Sequence, residues 1–284
     1  MGNRSEPSKR KILYSLVALG MFAVLLAGLH VFCLDGGQES YAVVVMGDSL
    51  TAQCRENTSI PALLQKYTHK TVFNGGFGGT CMTLQSPDEE TDYASELLNM
   101  VSLSKAIQAK DFGAQQTVRS RQEITDYFAD TVDDLARIDF EGMQVLVLSF
   151  GLNDYHAAVP IEDAKYPFSE YTFKGAVRSV VLNLQKQYPD LRIVIMTPTF
   201  TWYRSNHLTC EEYDPGNGFL EEYVQAELEL GTELGVEVLD LYHDFYTYDV
   251  WEDWEIYTED GLHPNEYGRD MIARRLAEML EETK

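Results

Sequence analysis

Gly47-Asp48-Ser49-Leu50 follows the apolar run Tyr41-Ala42-Val43-Val44-Val45-Met46 and precedes a polar stretch able to start a helix. A short β-rich run, a glycine, a small hydroxyl residue and then a helix is an arrangement that perches a nucleophile at the carboxyl end of a strand. The glycine permits a sharp turn, and the helix start offers unpaired N–H groups and the positive end of the peptide dipoles. Alone, the four residues are also ordinary turn and N-cap vocabulary. Their meaning depends on whether a base, an orienting acid and oxyanion donors follow downstream.

Outward from this stretch the chain alternates between strand and helix patterns. Tyr41 to Met46 reads as a buried parallel strand, apolar, β-branched and too short for a helix. Ser59 to Tyr67 reads as a helix with Pro61 in its first turn. Thr71-Val72-Phe73 is a second strand, running into Asn74-Gly75-Gly76-Phe77-Gly78-Gly79-Thr80. The polar segment from Pro87 to Asp139 carries helical periodicity near 91–109 and 119–137, the first expected in an insertion over the site. Val145 to Phe150, Arg192 to Met196 and Val236 to Leu239 are three further strands. Helices are predicted over about 172–188, 218–234 and 264–281. Such alternation implies a parallel sheet with helices on both faces and a site beyond the carboxyl ends of its strands, where Ser49, Gly79 and Asn153 all fall.

The charge is lopsided, 22 basic against 45 acidic residues. Residues 1–40 hold more basic than acidic residues, so the remainder is more acidic than the whole chain's net −23. That excludes a nucleic-acid partner, whose phosphates need a basic face, and speaks against docking of the folded part on anionic lipid. Residues 12–34 are uncharged and flanked by Lys9-Arg10-Lys11 and Asp35. A helix of that length crosses a bilayer core of about 30 Å. The sequence therefore predicts a basic cytoplasmic tail over 1–11, a single-pass signal anchor over 12–34, a linker over 35–40 and an extracytoplasmic domain over 41–284 with a helical insertion near 85–118. Of the four cysteines, Cys33 lies in the apolar segment. Cys54 and Cys81 are open to pairing as a disulfide or to remaining free.

The last loop before the final helix is Asp260-Gly261-Leu262-His263-Pro264. Acyl transfer by serine needs an imidazole to take its proton, a carboxylate to set the imidazole's tautomer, and donors aimed at the developing oxyanion. An aspartate three residues before a histidine supplies the first two from one turn. The N–H groups of Ser49 and Gly79 and the amide of Asn153 suit the third. With these residues in order, the chain resembles the SGNH hydrolases, the GDSL esterase and lipase superfamily, through Gly47 to Leu50, Asn74 to Gly79, Gly151-Leu152-Asn153-Asp154 and Asp260 to Pro264. The resemblance implies Ser49 as nucleophile, His263 as base, Asp260 as its partner, and Gly79 with Asn153 completing the oxyanion hole. It also implies a flavodoxin-like three-layer α/β/α sandwich on a five-stranded parallel sheet, with no cofactor and no metal. Gly75, Gly76 and Gly78 compete with Gly79 for the donor role, and the offset from Asn74 favours Gly79.

The expected reaction is hydrolysis of carboxylic esters, with O-acetyl or short-acyl esters of glycans or cell-envelope components favoured by the tethered, acidic domain. A lipid esterase or lysophospholipase, an O-acyltransferase with the same triad, and a non-catalytic glycan-binding module are the alternatives. No obligate protein partner is evident. His30, His69, His156, His207 and His243 stand at no metal-ligand spacing, and His156, two residues past Asp154, is placed near the site mouth. Asp48 and Asp154 are expected to brace their loops. The aromatic-acidic loop 244–257, with Trp202, Tyr203 and Tyr213, reads either as a substrate wall or as packed core, with packing slightly favoured.

Overall fold

The computed structural model describes residues 38–85, 95–120 and 127–282. The expected anchor over 12–34 lies outside them, and among the described residues no helix is long and apolar enough to cross a membrane. The end of the expected linker is tied down: Glu39 pairs in parallel with Ile138, exchanging hydrogen bonds with Arg137 and Asp139.

Five parallel strands form the sheet: β1 (Val43–Gly47), β2 (Val72–Gly76), β3 (Val145–Ser149), β4 (Arg192–Met196) and β5 (Glu237–Leu239), in the order β2-β1-β3-β4-β5. Successive side chains point to opposite faces, and both faces are buried, which is why β1, β3 and β4 read as nearly unbroken apolar runs. Val44, Met46, Leu146, Leu148, Ile193 and Ile195 enter one core. Val43, Val45, Val145, Val147, Val194 and Met196 enter the other.

Helices α1 (Ser49–Ala52), α2 (Ile60–Thr68), α3 (Met100–Ala109), α4 (Leu152–His156), α5 (Phe173–Gln187), α6 (Leu220–Leu234) and α7 (Glu266–Glu281) connect the strands. α2 and α7 cover the Val43 face through Ile60, Leu63 and Leu64 and through Ile272, Leu276 and Leu280. α3, α5 and α6 cover the Val44 face, completing three layers. Their starts are set locally: Ser59, Asn99 and Asn265 each accept a backbone N–H in the first turn of α2, α3 and α7.

The polar segment differs from expectation. The helix expected over 91–109 is broken at Asn99 into Ser95–Leu98 and α3, residues 86–94 lying outside the described set. Val101, Leu103, Ala106 and Ile107 form an apolar face that is buried only by packing in the layer beside α5. After a short helix at Gly113–Gln116 and a 3-10 turn at Thr117–Ser120, the stretch expected to be helical near 119–137 carries a helix at Tyr127–Leu135. After β4 the chain folds into a two-residue antiparallel ribbon, Trp202–Tyr203 with Leu208–Thr209.

Because β1 lies between β2 and β3, the connections leaving it and β3 diverge, opening a crevice at the carboxyl ends of these two strands.

Candidate active site

Ser49 opens α1 directly from the end of β1. Asp48 caps the helix, its Oδ1 accepting the Leu50 N–H at 2.9 Å. The helix lies close on the sheet, and a Cβ on Gly76 would sit 2.8 Å from the Ala52 nitrogen, so β2 must end in glycine there.

His263 comes from the turn before α7. Asp260 Oδ1 accepts the N–H groups of Leu262 and His263 at 2.9 and 2.8 Å, folding the turn. That leaves Asp260 Oδ2 at 2.7 Å from His263 Nδ1, and His263 Nε2 at 3.0 Å from Ser49 Oγ. Burial raises the Asp260 carboxyl, but the His263 ring and the two N–H donors outweigh it and hold it below the usual carboxylate range. Gly261, at φ +99°, has no space for a side chain: a Cβ would lie 2.2 Å from the Trp202 carbonyl oxygen. Its own carbonyl accepts the Trp202 N–H at 2.9 Å, docking the turn on the loop after β4.

The sequence does not disclose a further brace. The buried Arg269 of α7 donates to Pro264 O at 2.7 Å, Glu259 Oε1 at 2.9 Å and Thr58 O at 2.9 Å. One guanidinium thereby links the His263 turn to the segment that follows α1. Its partners lie as much as 211 positions away in the chain, so no local pattern announces them.

Asn153 stands in the first turn of α4, half-buried, and one Nδ2–H donates to Thr80 O at 3.1 Å, next to Gly79. Neither the Ser49 nor the Gly79 N–H has a protein acceptor among the described residues. Asp154 stitches the same two segments together, accepting Met82 N–H at 2.8 Å, Thr83 N–H at 3.1 Å and Thr83 Oγ1 at 2.8 Å. Asp48 and Asp154 thus brace backbone, in the manner expected of them.

Burial pushes Asp48 up to about 7, against the pull of the Leu50 N–H, with nearby Asp154 adding to the rise. Burial likewise raises Asp154, which its Met82 and Thr83 donors partly offset. Behind them on α6 is Glu227, fully buried, neither of whose carboxyl oxygens has a partner among the described residues. Burial, with Asp154 and Asp48 close by, drives it well above the usual range, so it is held as the neutral acid. Its helical position offers no sequence signal for this.

The aromatic loops divide. Trp202, Tyr246 and Tyr257 are buried and stacked, with ring centroids 6.2 Å apart for Trp202–Tyr246 and 4.4 Å for Tyr246–Tyr257. They are packing. Trp251 and Trp254 remain half-exposed, against His207 at 3.9 Å and under the Arg204 guanidinium at 4.3 Å. Cys54, Cys81 and Cys210 are free thiols. Among the described residues no group of three or more His, Cys, Asp or Glu is gathered to hold a metal.

Residues 45–271 match the model of the GDSL-like lipase/acylhydrolase family. The chain belongs to that family. It is accordingly a hydrolase acting on ester bonds. No curated protein matches it at a significant level. Solved structures of similar fold include a protein from Lactobacillus plantarum (19% identity, 87% of this chain and 99% of that one, TM-score 0.61). A second was put forward as a lipase, from Chitinophaga pinensis (18%, 84% and 97%, TM-score 0.55). A third was put forward as an arylesterase, from Agrobacterium tumefaciens (15%, 86% and 99%, TM-score 0.52). At such identities the likeness concerns the fold alone.

Proposed function

We propose that this GDSL-family hydrolase is a serine esterase with Ser49 as nucleophile, His263 as general base and Asp260 as the carboxylate that sets the imidazole's tautomer. The observation that carries this reading is the unbroken chain from Asp260 Oδ2 through His263 Nδ1 and Nε2 to Ser49 Oγ, at 2.7 and 3.0 Å. His263 Nε2 takes the Ser49 proton as Oγ attacks the ester carbonyl carbon. The carbonyl oxygen becomes an oxyanion, facing the free N–H groups of Ser49 and Gly79 and the remaining Nδ2–H of Asn153. Collapse breaks the bond to the alcohol oxygen, which leaves with the proton from His263. Water, deprotonated by His263, then attacks the acyl-enzyme and returns Ser49.

The substrates in this reading are O-acetyl or short-acyl esters of glycans or cell-envelope components. What supports it is the strongly acidic domain, which repels anionic lipid, together with the uncharged segment 12–34 behind Lys9-Arg10-Lys11, which would hold the domain outside the membrane with the N-terminus in the cytoplasm.

The test is Ser49→Ala in the full chain, assayed on 4-nitrophenyl acetate. Turnover should fall by about three orders of magnitude or more with the melting temperature little changed. Undiminished turnover would overturn the mechanism. Transfer of acetyl to an added sugar in preference to water would identify a transferase using the same three residues.

A further inference from the structure

His156 ends α4, three residues after Asn153, so the two side chains emerge on the same side of the helix, one turn apart. Its ring is held firmly. Nε2 is 2.9 Å from the Tyr203 hydroxyl, the two rings meet edge-on at 5.6 Å, and Tyr155 lies against it at 5.2 Å. The Tyr203 hydroxyl is itself tied to Thr201 Oγ1 at 3.3 Å. A core histidine of purely structural use has both nitrogens satisfied. Here Nδ1 has no protein partner among the described residues, and it is not among the buried polar atoms sealed from solvent. The ring is also close enough to His263 to feel its charge.

We propose that His156 is a specificity-determining residue of the site, its Nδ1 binding a neutral hydroxyl of the substrate beside the scissile ester. The inference rests on the esterase reading above and extends it to a substrate class, esters of polyhydroxylated alcohols that retain a free hydroxyl near the acylated one.

Two properties of the ring select a hydroxyl over other groups. First, burial and then His263 lower His156 to about 4, so the ring is neutral at working pH and offers no charge to a carboxylate or phosphate. Neutrality also suits the mechanism, because a cation here would oppose the imidazolium that forms on His263 during attack. Second, Tyr203 can either donate to Nε2 or accept from it, so Nδ1 is a donor in one tautomer and an acceptor in the other. A hydroxyl donates and accepts, and therefore pairs with Nδ1 in both. A bare aryl or alkyl ester has nothing to place there. It leaves Nδ1 unpaired once water is displaced, and sites built to pair a hydroxyl discriminate by that route.

The experiment compares kcat/KM on a mono-O-acetylated sugar with kcat/KM on 4-nitrophenyl acetate, for wild type, His156→Phe and His156→Gln in the full chain. The Phe variant keeps a flat ring against Tyr155 and removes both nitrogens. Both substrates should slow somewhat in it, but the sugar-to-aryl ratio should fall by about tenfold, chiefly through a higher KM for the sugar. Gln restores a donor and an acceptor, and should recover most of the ratio. An unchanged ratio in the Phe variant, or a Gln variant no better than Phe, overturns the proposal while leaving Ser49 as nucleophile. A Ser49→Ala variant that still turns over 4-nitrophenyl acetate overturns the esterase reading and this inference with it.

Discussion

Nε2 of His263 lies 3.0 Å from Oγ of Ser49, although 214 positions separate the two residues in the chain. The contact has a catalytic use only if Nε2 is the unprotonated nitrogen. Asp260 Oδ2, at 2.7 Å from Nδ1, requires the proton to sit on Nδ1. Asp260→Asn keeps an oxygen to fold the turn but presents an amide N–H to Nδ1, moving the ring proton to Nε2. Its kcat on an aryl ester should drop by roughly 10⁴-fold with little loss of melting temperature. A loss under tenfold would show that Asp260 does not set the tautomer.

Asn153 spends one amide hydrogen on Thr80 O, and the proposed mechanism assigns the other to the oxyanion. Asn153→Ala should lower kcat by about 10²–10³, with a smaller change in KM, because the lost donor acts on charge that develops only during attack. Steady-state kinetics on one ester, with thermal melting as a check on folding, reads this directly.

Gly261 combines a left-handed backbone with contact against Trp202 O. Gly261→Ala should cost more than about 1 kcal/mol in urea denaturation. It should also depress kcat disproportionately, since the displaced residue lies between Asp260 and His263. A variant of wild-type stability and activity would mean that the turn repacks without consequence.

Asp48 gives a pH dependence of stability whose sign follows from its environment. Its ordinary value is 3.8, and in the folded protein burial raises it to about 7. Between these values the folded state holds the extra proton, so this group's contribution is full below about pH 4 and is lost as pH rises through 7. The contribution is at most about 4 kcal/mol. Asp48→Asn remains a good N-cap but does not titrate. The wild type should therefore lose more stability than the variant between pH 5 and pH 8, measured by denaturant unfolding. Parallel curves would place the Asp48 proton elsewhere.

Much of the frame is legible in the chain because it depends on neighbours in sequence. Val43 to Gly47 announces a buried strand by composition, Ser59 and Pro61 announce a helix start, and Asp260 folds a turn onto its own next two N–H groups. The pairing of Asp260 with His263 is equally local, a matter of three residues.

Other features depend on which layers meet. The periodicity of Met100 to Ala109 marks an apolar face without saying whether it covers a site or enters a core, and packing beside α5 decided for the core. The aromatic residues of the late loops share one composition, yet Trp202, Tyr246 and Tyr257 are interior while Trp251 and Trp254 stay half-exposed. Arg269 reaches Thr58, His156 meets Tyr203, and Glu227 is left with no partner among the described residues only once the helices are laid on the sheet. The sequence by itself determined the elements, the turns and the residue types that converge on Ser49, because these follow from local sterics and hydrogen bonding. Only the tertiary structure decided the partners, burial and charge states around them, because those are set by groups that the chain separates by tens to hundreds of residues.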